Sequence, residues 1–284
     1  MTDKTWFVTG TSTGFGRSLA TYLAQQPAVK LVATARKVDQ LDYLDKYDHG
    51  QILKTSLDVT NGDEITASVE QADEKFGSID VLVNNAGIGY FGTFEESNRQ
   101  SVEYMFSVNV WGLVDMTRAV LPIMRRQKAG VIVNFSSIGG LYSFPTLSFY
   151  HGTKYAVEGI SESLSKEVSD LGIKVMLIEP SGFRTDWAGR SSQKVIPQVE
   201  DYDQFGDFIK ENAEGAHHEA GDPEKAAEII YDQVSHHIDT LPLRLPLGKF
   251  ASDTAIQKYR DNLTQFEALR EISVSADRPE KSED

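Results

Sequence analysis

Short runs of β-branched and other apolar residues recur along this chain, and each is separated from the next by a longer stretch of helical period. The runs are Trp6–Thr9, Leu31–Ala35, Ile52–Ser56, Val81–Asn84, Val131–Phe135 and Lys174–Ile178. Strands this apolar are covered on both faces, which is the situation of a parallel sheet whose crossover helices lie above and below it. The rhythm therefore predicts an α/β, doubly wound, three-layer fold with a mostly parallel sheet. Leu241–Leu245 is the candidate for a seventh strand.

The helices between these strands carry their own signals. Ile65, Val69, Ala72 and Phe76 share one face, opened by Asn61 with Glu64 three residues on, the pattern of a capping box. Asp222-Pro223 reads as a cap followed by proline at the first helical position. No repeat or linker interrupts the pattern, so residues 1–272 are expected to form one domain, and 273–284 a polar, flexible tail. The exception is 181–222, which has no strand pattern but holds Phe183, Trp187, Tyr202, Phe205 and Phe208. A structureless connection of that length is improbable in a compact domain, and the segment reads as a substrate lid with short helices of its own.

Charge and composition exclude several functions. With 28 Lys+Arg against 42 Asp+Glu the net charge is −14, which disfavours nucleic acid and anionic membranes as partners. The chain has no cysteine, so thiol nucleophiles and thiolate metal sites are out. His217-His218 and His236-His237 lack the i, i+4 spacing of a helical zinc motif, and no metal is expected. The first residues lack the features of a signal peptide and no apolar run is long enough to span a bilayer; the expected location is cytoplasmic.

The first strand runs into Thr9-Gly10-Thr11-Ser12-Thr13-Gly14-Phe15-Gly16 and then into a helix. Glycines there let backbone approach a pyrophosphate, which the free N–H groups and positive end of the helix hold. Three glycines at a strand end also make an ordinary tight turn. The second strand ends in Arg36-Lys37 with no acid before Asp39. Cations at that position suit the 2′-phosphate of NADP(H) better than the free ribose of NAD(H), the less favoured alternative being a solvated helix start.

Tyr150 and Lys154 are four residues apart at the start of a helix and so share a face. A phenol with a pKa of about 10 is a poor base near neutrality, but an ammonium beside it favours the phenolate, and Lys154 is expected to lower it. A tyrosine with a lysine passing it is also a common surface arrangement. Ser136 and Ser137 end a strand, where ligands of doubly wound sheets sit, and a hydroxyl there can donate to a carbonyl oxygen becoming an alkoxide.

Taken together these residues resemble the short-chain dehydrogenase/reductase family in its single-domain form. The glycine segment matches T-G-x-x-x-G-x-G, Asn84-Asn85-Ala86-Gly87 matches N-N-A-G, Ser137 precedes Tyr150 by 150 − 137 = 13, and Tyr150 with Lys154 matches Y-x-x-x-K. The resemblance is strong from Thr5 to Thr185 and implies a Rossmann-type fold with a seven-stranded sheet. It implies that Tyr150 exchanges the proton with substrate, that Lys154 binds the nicotinamide ribose and lowers the tyrosine's pKa, and that Ser137 orients the carbonyl. Asn109 matches the asparagine that holds a water linking the lysine to solvent. Asp58 matches the aspartate beside the adenine, and Gly10, Ser12, Thr13, Gly14, Phe15, Gly16, Arg36, Asn85, Ala86, Gly87, Pro180, Phe183 and Thr185 complete the expected cofactor contacts. One departure is Ser181, where the family usually has glycine; it must take up a conformation glycine holds more cheaply, or the loop differs locally.

The implied activity is hydride transfer between NADP(H) and a small carbonyl or secondary alcohol. Phe91, Phe94, Tyr142, Phe144, Phe149 and Trp187 near the motifs suggest an apolar substrate, although such residues also build ordinary cores. Two other readings remain: a catalytically silent NAD(P)-sensing protein, and a sugar-nucleotide epimerase, for which the residues after Pro180 are few. Family members commonly form dimers or tetramers, and a homodimer or homotetramer is expected here.

Overall fold

The structure, a computed structural model, describes residues 3–278. Its nine strands are β1 (Lys4–Val8), β2 (Val29–Ala35), β3 (Ile52–Ser56), β4 (Val81–Asn84), β5 (Gly89–Phe91), β6 (Gly130–Phe135), β7 (Ile173–Pro180), β8 (Ser192–Lys194) and β9 (Arg244–Leu247). Seven of them form one parallel sheet in the order β3-β2-β1-β4-β6-β7-β9, and β5 and β8 pair separately. The fold is the Rossmann-type three-layer arrangement that the strand rhythm implies.

Alternation along the strands divides the core in two. Trp6, Val8, Leu31, Ala33, Val81 and Val83 face one side. There they meet Leu19 and Leu23 of α1 (Gly14–Leu23) and, from further along the chain, Ile230 and Val234. Phe7, Val32, Leu82 and Ile132 face the other side. Their partners are Ile65 and Val69 of α2 (Gly62–Phe76) and residues of a long helical rod. In that rod α3 (Arg99–Phe106) passes through a π-helical turn, Ser107–Gly112, into α4 (Leu113–Gln127), which supplies Met116 and Val120. α5 (Ser148–Val168) follows on the same layer. Next come α6 (Asp203–Glu214), α7 (Pro223–His236), which carries Ile230 and Val234, then α8 (Lys249–Ala268) and α9 (Arg270–Val274).

The capping signals act locally. Asn61 Oδ1 accepts from the N–H groups of Asp63 and Glu64. The reciprocal half of the box differs, because the Asn61 N–H is already taken by the Asp58 carbonyl. Glu64 instead accepts from the Asn61 side chain and from the Asp58 N–H. Asp222 caps α7 by accepting from Glu224 N–H at 2.9 Å.

Two boundaries differ from the sequence reading. The seventh strand is Arg244–Leu247, not Leu241–Leu245; Leu241 ends a 3₁₀ turn (Ile238–Thr240), and the strand is an edge, which tolerates Pro246. Segment 181–222 contains β8 as well as α6, and its ends are joined by a bridge between Phe183 and Gly221. The expected tail begins inside α9 at Ser273, and residues 279–284 lie outside the described ones. Among the described residues no helix is long and apolar enough to cross a membrane.

Candidate active site

Strands β1, β4, β6 and β7 end side by side, so the loops that follow them converge at one edge of the sheet. The glycine loop follows β1, Asn85-Ala86-Gly87 follows β4, Ser136-Ser137 follows β6 and Ser181 follows β7. This carboxyl edge is where doubly wound sheets bind ligands.

The glycine loop is shaped by close approach. Gly10 and Gly14 have φ of +70° and +55°, in the left-handed region that favours glycine. A Cβ on Gly16 would collide with the Gly10 carbonyl oxygen and the Asn85 side-chain nitrogen. Asn85 braces the turn from below, its Nδ2 donating to the carbonyls of Thr9 at 2.9 Å and Gly10 at 3.0 Å, while the Thr9 hydroxyl accepts from the N–H groups of Asn85 and Ala86. Thr13 precedes α1 without making a side-chain cap, and the helix has no acid in its first turn. Its leading N–H groups and positive end therefore address the loop. A Cβ on Gly14 would just touch the Thr185 side chain, and a cavity of about 330 Å³ lies between the loop and Thr185, Arg190 and His217. A larger groove, about 820 Å³, is at the opposite end of the sheet beside Lys30 and His49, away from all of these groups.

Tyr150 and Lys154 rise from the first turns of α5, both buried. Lys154 Nζ donates to the Phe135 carbonyl at 2.8 Å and lies 5.8 Å from the centre of the Tyr150 ring. Burial pushes the Tyr150 phenol up to about 12, with the Ser137 hydroxyl drawing it down by less. Burial also pulls Lys154 down to about 8, partly offset by the charge of Glu158. No lowering of the phenol by Lys154 is seen in this arrangement, where desolvation of the ring dominates.

Ser137 opens a 3₁₀ turn (Ile138–Gly140), its hydroxyl accepting from Gly139 N–H at 3.0 Å, whereas Ser136 is turned into the core toward Glu158. His151 holds this turn down. Its Nε2 accepts from Phe144 N–H and its Nδ1–H donates to the Gly139 carbonyl, both at 2.8 Å, and burial lowers its pKa, keeping it neutral. Asn109 sits in the π-helical turn and spans to the loop after β4: Oδ1 accepts from Ile88 N–H at 2.8 Å and Nδ2 donates to the Ile88 carbonyl at 2.9 Å.

The remaining expected contacts divide. Arg36 is exposed just past β2, and Arg17 in the first turn of α1 has its guanidinium 4.0 Å from the ring centre of Tyr43, whose hydroxyl donates to Thr11 O. Asp58 spends its carboxylate on Thr60, accepting from both its N–H and its hydroxyl. The rings of Phe15 and Phe183 pack on one another at 4.8 Å and belong to the core, so what they offer a cofactor is backbone. Ser181 keeps ordinary backbone angles and ties the loop to the edge strand, its N–H donating to Leu247 O at 3.0 Å. The strain falls on Gly248 instead, with φ +91° and room for no Cβ beside Ser181 Oγ.

Comparison with known proteins agrees with this geometry. The model of the short chain dehydrogenase family matches residues 4–195. An oxidoreductase of Penicillium decumbens, calM, is 37% identical over 96% of this chain and 92% of its own. A short-chain dehydrogenase from Streptomyces avermitilis superposes with a TM-score of 0.88 at 34% identity, covering 98% of this chain and all of the other. This chain is a short-chain dehydrogenase/reductase. A 3-ketoacyl-(acyl-carrier-protein) reductase from Brucella melitensis, solved with NADH, is 26% identical with a TM-score of 0.70 over 87% of this chain and 97% of its own. The dehydrogenase is accordingly an oxidoreductase acting with NAD(P), and the uncapped start of α1 and the Cβ-free cradle at Gly10 and Gly16 fit a dinucleotide pyrophosphate.

The sequence reading missed some residues of this site. His151, which carries no spacing signal of its own, secures the Ser137 turn. Arg17 has no sequence signal beyond its place in the helix that follows the glycine segment. Glu158 and Glu179 had no sequence signal beyond their positions near Lys154 and Pro180.

Proposed function

We propose that this dehydrogenase transfers hydride between NADP(H) and an apolar carbonyl or secondary alcohol, with Tyr150 as the general acid and base. The observation that carries the reading is the Tyr150 phenol, buried between Ser137 and Lys154 under the Trp187 ring at 4.9 Å. Bound nicotinamide supplies the hydride; the chain's own residues handle the proton and the carbonyl. Ser137 donates to the substrate oxygen and Tyr150, protonated throughout the neutral range, gives up its proton as the alkoxide forms. Lys154 holds positive charge beside the phenolate that results, and Asn109 fixes the turn through which the lysine is reprotonated. Segment 181–222 acts as the lid, with Trp187 against Phe91 at 5.4 Å closing an apolar wall and Phe94 stacked on Phe149 at its mouth. Exposed Trp111 and Tyr155 on the α4 and α5 layer support a homodimer through those helices.

The test is NADPH oxidation, with NADH in parallel, over a panel of apolar aldehydes, cyclic ketones and diketones. Turnover faster with NADPH is expected. Arg36→Ala should weaken NADPH binding about tenfold more than NADH binding, the loss of one charge-assisted contact to a 2′-phosphate. Equal loss for both removes that role from Arg36, and tight NADPH binding without any turnover favours the sensing protein. Ser137→Ala is expected to cut turnover about 100-fold and Ser136→Ala by far less; the reverse order in kcat reassigns the hydroxyl.

A further inference from the structure

Behind the reactive groups lie two carboxyls that this chemistry does not use. Glu158 is on α5 one turn beyond Lys154, and Glu179 is the penultimate residue of β7. Glu179 is 0% exposed and Glu158 5%. Both oxygens of Glu179 and Oε1 of Glu158 have no hydrogen-bond partner. Arg244 on β9 bridges the group: Nε is 3.0 Å from Glu158 Oε2 but 3.6 Å from Glu179 Oε1, and Nη2 is 2.7 Å from Glu162 Oε2. Tyr259 of α8 is the remaining titratable group whose charge is felt at Arg244, and the buried Ser136 hydroxyl after β6 faces Glu158.

The placement of donors fixes the protonation pattern. Glu162 is half-exposed and shared between Arg244 and Lys166, which leaves Glu158 and Glu179 as the two carboxyls out of reach of water, and of these only Glu158 is bonded to Arg244. Two buried carboxyls in that position cannot both ionise, and the one without donors keeps its proton. Glu158 and Glu162 each have a bond from Arg244, whereas Glu179 has none.

We propose that Glu179 remains protonated and donates to ionised Glu158, and that Glu158 in turn acts through Lys154 as a positioning residue that keeps the lysine charged. Burial first and the charge of Glu158 second push Glu179 up to about 8, in the same sense. The role of Glu158 rests on the reading of Lys154 given above; the proton on Glu179 does not.

A raised carboxyl leaves a mark on stability. Unfolded, Glu179 releases its proton near 4.5; folded, it keeps it to about 8. Its contribution is therefore full below pH 4.5 and is lost as pH rises through 8. Glu179→Gln, which keeps the shape and a donor, is expected to raise Tm by about 3 °C at pH 8 and to leave it unchanged at pH 4.5. The infrared carbonyl stretch of a buried protonated acid, present in the wild type at pH 6.5, should vanish in the same variant. A lower Tm at both pH values, or a carbonyl band unchanged by the substitution, overturns the proton on Glu179.

The link to Lys154 is read from NADPH affinity against pH, followed by fluorescence. Glu158→Gln should move the alkaline loss of affinity down by about one pH unit, while Glu162→Gln, equally bonded to Arg244 but farther from Lys154 in the helix, should not. An unmoved profile in Glu158→Gln, or the same shift in both, overturns the positioning role. Absence of NADPH binding in the wild type overturns the cofactor reading instead, and the infrared and thermal results then decide the acid pair by themselves.

Discussion

Tyr150→Phe is expected to fold normally, bind NADPH as the wild type does and lose turnover about 10³-fold, the scale of a positioned acid–base group. The ring keeps its contact with Trp187 at 4.9 Å; only the hydroxyl goes. The direction of reaction should show the same proton. With the phenol at about 12, the acid needed for carbonyl reduction is fully loaded at neutral pH, so reduction should stay level until Lys154 begins to discharge near 8. Alcohol oxidation needs the phenolate, and its rate should climb with pH across the same range. Steady-state rates in both directions, for wild type and variant, check this, and a variant that keeps more than a tenth of its turnover would remove Tyr150 from the chemistry.

Gly16→Ala should abolish cofactor binding, with an affinity loss of more than 100-fold. The added methyl meets the Gly10 carbonyl oxygen and the Asn85 nitrogen that braces the loop, and a backbone carbonyl cannot step aside as a flexible side chain does. Opening the turn costs about 1–3 kcal/mol by analogy with overpacked cores, so Tm should also fall by about 5 °C. Gly62→Ala is the control: at the start of α2, a Cβ there meets nothing within 4 Å, and neither binding nor Tm should suffer. Titration of NADPH by fluorescence and a thermal melt read both variants, and unchanged affinity in Gly16→Ala would place the pyrophosphate elsewhere.

The sheet was legible because its central strands are buried on both faces. Nothing but apolar residues can fill Trp6–Val8, Leu31–Ala33 or Val81–Val83, and runs of that kind stand out without any knowledge of their partners. The edge strand β9 starts three residues and ends two residues later than expected, because a half-covered strand holding Pro246 carries a weaker pattern. β5 and β8 were invisible for a different reason: three residues apiece, one beginning with glycine, they exist only because Gly89–Phe91 and Ser192–Lys194 meet across more than a hundred residues of chain. At the site, Gly10, Gly14, Gly16, Asn85, Tyr150 and Lys154 announced themselves through local spacing. The tyrosine's raised pKa did not, since it comes from Trp187 and the rest of its burial rather than from its neighbour in the helix. Glu158 and Glu179 carry no local signal of burial, since the Arg244 that meets Glu158 arrives from the far edge of the sheet.

Arg244 enters the chain long after the groups it neutralises. As the ribosome extends the polypeptide at about 5–20 residues per second, the 244 − 179 = 65 residues that separate it from Glu179 occupy at least several seconds. Through that interval β6, β7 and α5 can be present while Glu158 lacks the guanidinium that it meets in the finished fold, so closing that part of the interior would bury an unpaired carboxylate. Completion of the buried acid pair therefore waits on β9, the last strand of the sheet in the chain.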